Sequence, residues 1–128
     1  MSRSGYSDGI DDHWDLIMWR GAVASAMKGA RGQAFLREML AALDSLPEKK
    51  LIAGELEERG AVCALGAVGK ARGLDMKGID PEDSETVARK FGIACSLARE
   101  IVYTNDEGNL YWVTETPEMR FDRVRAWV

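Results

Sequence analysis

The sequence predicts a mainly α-helical fold, a compact bundle of about five or six helices, and three observations predict it. Apolar residues recur at helical spacing in several separate stretches. Those stretches are bounded by capping residues in front and by Gly or Pro behind. The 128-residue chain is 46% hydrophobic and 30% charged, the balance of a chain that buries one core without disulfide staples. One stretch, residues 50–62, also fits a short β-hairpin. Residues 1–12, rich in Ser, Gly and Asp, read as a flexible arm, and residues 13–128 as a single helical domain.

The first helix is expected from His13 to Lys28, with Asp11 or Asp12 as its cap. Trp14, Ile17, Met18 and Gly21 form one apolar stripe on it, and Leu16, Trp19, Val23 and Met27 a second. A helix apolar on two sides is expected to be central in its domain. The small residues Gly21, Ala22, Ala24 and Ser25 would let a neighbouring helix approach closely. Gly29 and Gly32 bracket a turn. A second helix is expected over Gln33–Ser45, where Leu36, Met39, Leu40 and Leu43 share a face. Pro47 ends it.

Lys50 to Val62 fits two descriptions. Leu51, Ile52 and Leu56 can continue a helix, whereas Glu58-Arg59-Gly60 can join two short strands; the spacing leans to helix, and Gly54 weakens both. Cys63–Arg72 reads as a helix despite Gly66 and Gly69. Each glycine costs about 1 kcal/mol against alanine, so close packing on another backbone is expected there. Gly73 ends that helix. Asp80-Pro81-Glu82 is expected to open the next, which runs to Lys90 with Val87, Ala88 and Phe91 inward. After Gly92 a further helix covers Ile93–Thr104, and Asn105–Gly108 reads as a turn. Thr116-Pro117-Glu118 starts the last helix, with Phe121, Val124 and Trp127 facing the core.

Composition bounds the function. No apolar stretch approaches the ~20 residues of a membrane-spanning helix, and the opening residues resemble neither a secretory signal nor a transit peptide. Cys63 and Cys95 form no CxxC pair, which suits small buried hydrophobes in a reducing, cytoplasmic compartment. The net charge of −4 disfavours non-specific nucleic-acid binding. Oligomeric state is not readable.

Four constellations carry the functional expectations. Residues 85–102 have the spacing of a helix-turn-helix, with Ala88, Gly92, Ile93, Leu97 and Ile101 in the characteristic places. Base reading there would fall to Ser96 and Arg99, and a plain helical hairpin needs the same glycine. Residues 66–73 approach a phosphate-binding loop, but Ala64 stands where its first glycine belongs and Ala71 replaces the hydroxyl residue that binds Mg²⁺. Cys63, His13 and Asp106 would make a cysteine-hydrolase set if the fold joined them, with the thiolate favoured by a helix N-terminus. The ligands are too few for a zinc site, and no cofactor or metal is implied. Tyr111, Trp112 and Glu115 form a candidate aromatic and acidic protein-binding surface.

The chain also resembles a group of small proteins from bacteriophages and prophages of Gram-negative bacteria. The resemblance lies in "WRGAVASAMKGARGQAFLREMLAALDSLPEKKLIAGELEERG", "VCALGAVGKARGLDM", "LAREIVYTNDE" and "ETPEMRFDRVRAWV". It brings no activity and no catalytic residues with it. What it implies is a setting: a non-enzymatic accessory protein in the host cytoplasm, binding a host protein or complex and inhibiting a defence system in the manner of an anti-CRISPR. A helix-turn-helix regulator and a cysteine-dependent hydrolase are the alternatives.

Overall fold

A computed structural model of the chain describes residues 13–107 and 114–128, with residues 13–16 as backbone only. The described elements are α1 (His13–Lys28), α2 (Ala30–Asp44), β1 (Glu57–Glu58), β2 (Ala61–Val62), α3 (Ala64–Arg72), α4 (Ser84–Phe91), α5 (Cys95–Glu107) and α6 (Pro117–Trp127). The fold is mainly helical, as the periodicity predicts, with one short antiparallel hairpin within the 50–62 stretch. In the core, Met39 and Leu43 of α2, Leu65 and Val68 of α3, Phe91 of α4 and Leu97 and Ile101 of α5 are almost completely buried.

Local chemistry sets the element boundaries, and several differ from the expected ones. α2 begins at Ala30, capped by Gly29, so Gly32 lies inside the helix. A Cβ on Gly32 would come within 1.8 Å of the Ala26 carbonyl oxygen. That glycine therefore allows the tight α1–α2 corner. α4 begins at Ser84, capped by Asp83, rather than at Asp80-Pro81-Glu82. The Asp80 carboxylate accepts the Glu82 N–H at 2.9 Å, a side-chain turn that competes with the first helical turn. α5 begins two residues late and includes Asn105 and Asp106, which read as a turn in the sequence.

Of the segment that fits two descriptions, residues 57–62 form the short hairpin and residues 50–56 are irregular rather than helical. Glu57 pairs with Val62 and Glu58 with Ala61, around a two-residue loop. Arg59 and Gly60 both sit at positive φ, 53° and 85°, the requirement of a type I′ hairpin turn. Glycine takes that geometry freely. For Arg59 the left-handed region costs on the order of 1 kcal/mol.

The helical glycines of α3 are compensated as expected. A Cβ on Gly66 would lie 1.8 Å from the Leu56 carbonyl oxygen, and one on Gly69 would lie 2.4 Å from Met76 Sδ. Gly73, at φ 72°, ends α3.

α1 departs from expectation. It packs on α2 and α5 through one side only, with Val23 buried and Met27 half-buried against the core. The other stripe faces solvent: Ile17 is 47% exposed and Met18 60%. α1 is thus peripheral rather than central, because α2 and α5 cover only its Val23–Met27 side.

Arginines join helices across the bundle. Arg72 of α3 pairs with Glu38 of α2 at 2.7 and 2.6 Å, donates to the Phe91 carbonyl at the end of α4, and stacks near Phe35 and Phe91. Arg125 of α6 pairs with Asp44 of α2 at 2.6 and 3.1 Å. Arg123 of α6 donates to the carbonyls of Thr104 and Asn105 near the end of α5. A cation is favoured at each helix C-terminus, where carbonyls lack partners.

Candidate functional site

Cys63 caps α3, its Sγ accepting the Gly66 N–H at 3.4 Å. The position is the helix N-terminus expected to favour a thiolate, yet the opposite effect prevails. Burial in the core, reinforced by the charge of Asp106, pushes the thiol up to about 12 against the opposing Gly66 N–H. Asp106 therefore does lie near Cys63, but it works against ionisation. The cavity beside them holds ≈10 Å³, about one water. The side chain of His13 lies outside the described residues, so the third member of the set has no described position. A thiol of this kind is a packing and capping group rather than a nucleophile at neutral pH.

α4 and α5 form the hairpin that the helix-turn-helix spacing predicts. Gly92 stands at φ 71°, the Ala88 carbonyl accepts from Gly92 and Ile93, and Ile93, Leu97 and Ile101 are buried. The outer face of α5, however, is partly covered by α1, which leaves Ser96 and Arg99 half-buried. Ser96 Oγ donates to the Ala22 carbonyl at 3.4 Å, and the Arg99 guanidinium lies 4.4 Å from the Trp19 ring centroid. Both side chains are engaged within the bundle, a reason for their presence that spacing alone could not reveal. A half-buried reading face engaged by a neighbouring helix is poorly placed to enter a major groove.

Tyr111 and Trp112 lie outside the described residues. Glu115 is described, and it is not a surface acid: its side chain is 5% exposed. It accepts from Arg123 at 2.6 and 3.0 Å and pairs with Arg120 at 3.2 Å. The Arg123 hydrogen bonds hold its carboxyl below the ordinary value, against the effect of burial. Its role is to orient the two arginines that bind α6 to its neighbours.

Asn105 is the residue that sequence reasoning missed. It is 1% exposed, and its amide joins three segments. The oxygen accepts the Ala64 N–H at 3.0 Å, while the nitrogen donates to the Ile52 carbonyl and the Asp106 carboxylate, each at 2.8 Å. Around it Leu51 donates to the Pro117 carbonyl, Ile52 to that of Val62, and Arg120 to that of Leu51. The irregular 50–56 segment is held in place by this network. Its turn-like sequence signature concealed it.

Three surfaces are left for binding among the described residues. The first is the solvent face of α1, where Ile17 and Met18 flank Gly21; nothing lies within 4 Å of the position a Gly21 Cβ would take. The second is a cleft of ≈380 Å³ between the 46–52 segment, the hairpin and α3. Leu46, Ile52 and Val62 contribute apolar lining, with Lys50, Arg59 and Lys70 as its cations. The third, a broader, open groove formed by residues 54–57 and 76–82, is mainly acidic, with Glu55, Glu57, Asp80 and Glu82 against Lys77.

Among the described residues no cluster of three or more His, Cys, Asp or Glu is placed to hold a metal ion, and no helix is long and apolar enough to cross a membrane. No protein-family model, curated protein or solved structure matches the chain.

Proposed function

We propose that the protein is a non-enzymatic accessory protein that acts by binding another protein through the outer face of α1. The carrying observation is the exposed pair Ile17 and Met18 on a helix whose opposite face already meets the core. Exposed apolar side chains grouped on one rigid element mark contact surfaces. Covering what these two expose would contribute about 2 kcal/mol, roughly thirtyfold in affinity. Small residues beside them, including Gly21, leave room for an incoming helix. In the phage setting that the resemblance implies, the partner is a host protein or complex of the defence machinery, as an anti-CRISPR would have. The hydrolase alternative is disfavoured by the un-ionised Cys63, and the DNA-binding alternative by the half-buried Ser96 and Arg99.

Pull-down from host lysate, comparing wild type with Ile17→Glu/Met18→Glu, tests this reading. We expect a specific partner held by the wild type and lost with the double variant, while the two proteins melt within a few degrees of each other. Recovery of no partner, or of one that the double variant retains, overturns it.

A further inference from the structure

We propose that the cleft beside the hairpin is a second binding site, independent of α1, for an acidic segment of a protein partner that seats an apolar side chain between its carboxylates. The volume of ≈380 Å³ falls within the range of real ligand sites. Its lining combines apolar Leu46, Ile52 and Val62 with three cations against one acid, Glu48, in a chain whose net charge is −4. Among the described residues Arg59 and Lys70 have no hydrogen-bond or ion-pair partner. Lys50 is half exposed, with Glu48 at 3.5 Å and Glu118 at 3.6 Å, contacts loose enough to exchange for an incoming carboxylate.

Arg59 supplies the second, independent observation. It occupies the first central position of the hairpin turn at φ 53°, where Asn, Asp or Gly would relieve the strain. A strained residue kept at the rim of a cleft is a pointer to function. The gain from arginine is a planar fork of donors that matches a carboxylate in two parallel hydrogen bonds. Nucleic acid fits less well, since the apolar lining would gain nothing from a phosphate backbone.

The experiment is a titration of the full chain, followed by amide chemical shifts, with a soluble peptide of alternating Asp and Leu. A Ser/Leu peptide and a single-stranded oligonucleotide serve as comparisons. We expect shifts grouped at Ile52, Gly60, Ala61 and Val62. Arg59→Asn should weaken binding about tenfold while raising Tm by roughly 3–5 °C. Ile17→Glu/Met18→Glu should leave peptide affinity unchanged, so failure of this site and failure of the α1 surface are separate results. The proposal is overturned if the shifts do not group at the cleft or Arg59→Asn binds as wild type does. It is equally overturned if Arg59→Asn melts lower, or if either comparison ligand binds as tightly as the acidic peptide.

Discussion

α1 and the 50–66 region are fixed by different kinds of contact. α1 lies on the bundle through one apolar stripe, supplemented by the Trp19–Arg99 stacking and the Ser96–Ala22 hydrogen bond. The 50–66 region has only four residues in strands, yet its backbone is hydrogen-bonded to Asn105, Arg120, Asp106 and Pro117. Apolar contact is non-directional, so a helix held by it keeps its opposite face available to a partner. Directional bonds to the backbone leave far less freedom: each one lost strands a buried group at roughly 1–3 kcal/mol.

The same substitution should have opposite signs in the two regions, and the largest effect falls on the second. Gly66→Ala drives a methyl into the Leu56 carbonyl, and a loss of roughly 3–5 kcal/mol is expected in denaturant unfolding. A loss below about 1 kcal/mol would mean that the Leu56 backbone yields.

An intermediate effect belongs to Glu115. Its carboxyl is held below the ordinary 4.5 by Arg123, so the stability it contributes is fully present above about pH 4.5. As pH falls below that value the unfolded chain takes up a proton that the folded protein resists, and the contribution is lost as pH passes through the lowered folded value. Glu115→Gln should cost about 1–2 kcal/mol at neutral pH and flatten the acid limb of the stability profile, measured by urea unfolding between about pH 3 and 7. Parallel profiles for the two proteins would remove this ion pair as a cause of acid sensitivity.

The smallest effect is on α1. Gly21→Ala meets open space and should raise stability by about 0.5–1 kcal/mol through helix propensity alone. A decrease in thermal stability would show that the face is more closely covered than its exposure indicates.

The sequence made the helices legible wherever one face repeats at three- and four-residue intervals and a cap or breaker bounds it. α2, α3 and α6 meet that condition, with Gly73 and Thr116-Pro117 marking ends that the structure keeps. Asp80-Pro81-Glu82 misled because the same side chains favour a turn and a helix start. Asn105 and Asp106 misled for a related reason: turn-forming residues can also direct their polar groups inward. On α1 both apolar stripes were legible, but not which of them α2 and α5 would cover. The cleft was illegible for a different reason, since its walls come from residues 46–52, 59–62, 70 and 117, which no local pattern connects.

The Asn105 amide also bears on the order of folding. Its partners Ile52 and Ala64 are 53 and 41 residues away along the chain. Closing loops of that length costs roughly 3–4 kcal/mol in chain entropy before any constant term. The hairpin looks like an early, self-sufficient unit, yet Ile52, which bonds to its second strand, gains its carbonyl partner only after α5 has formed and docked. Completion of the chain's middle therefore depends on a residue near its far end, a long-range contact of the kind that slows folding.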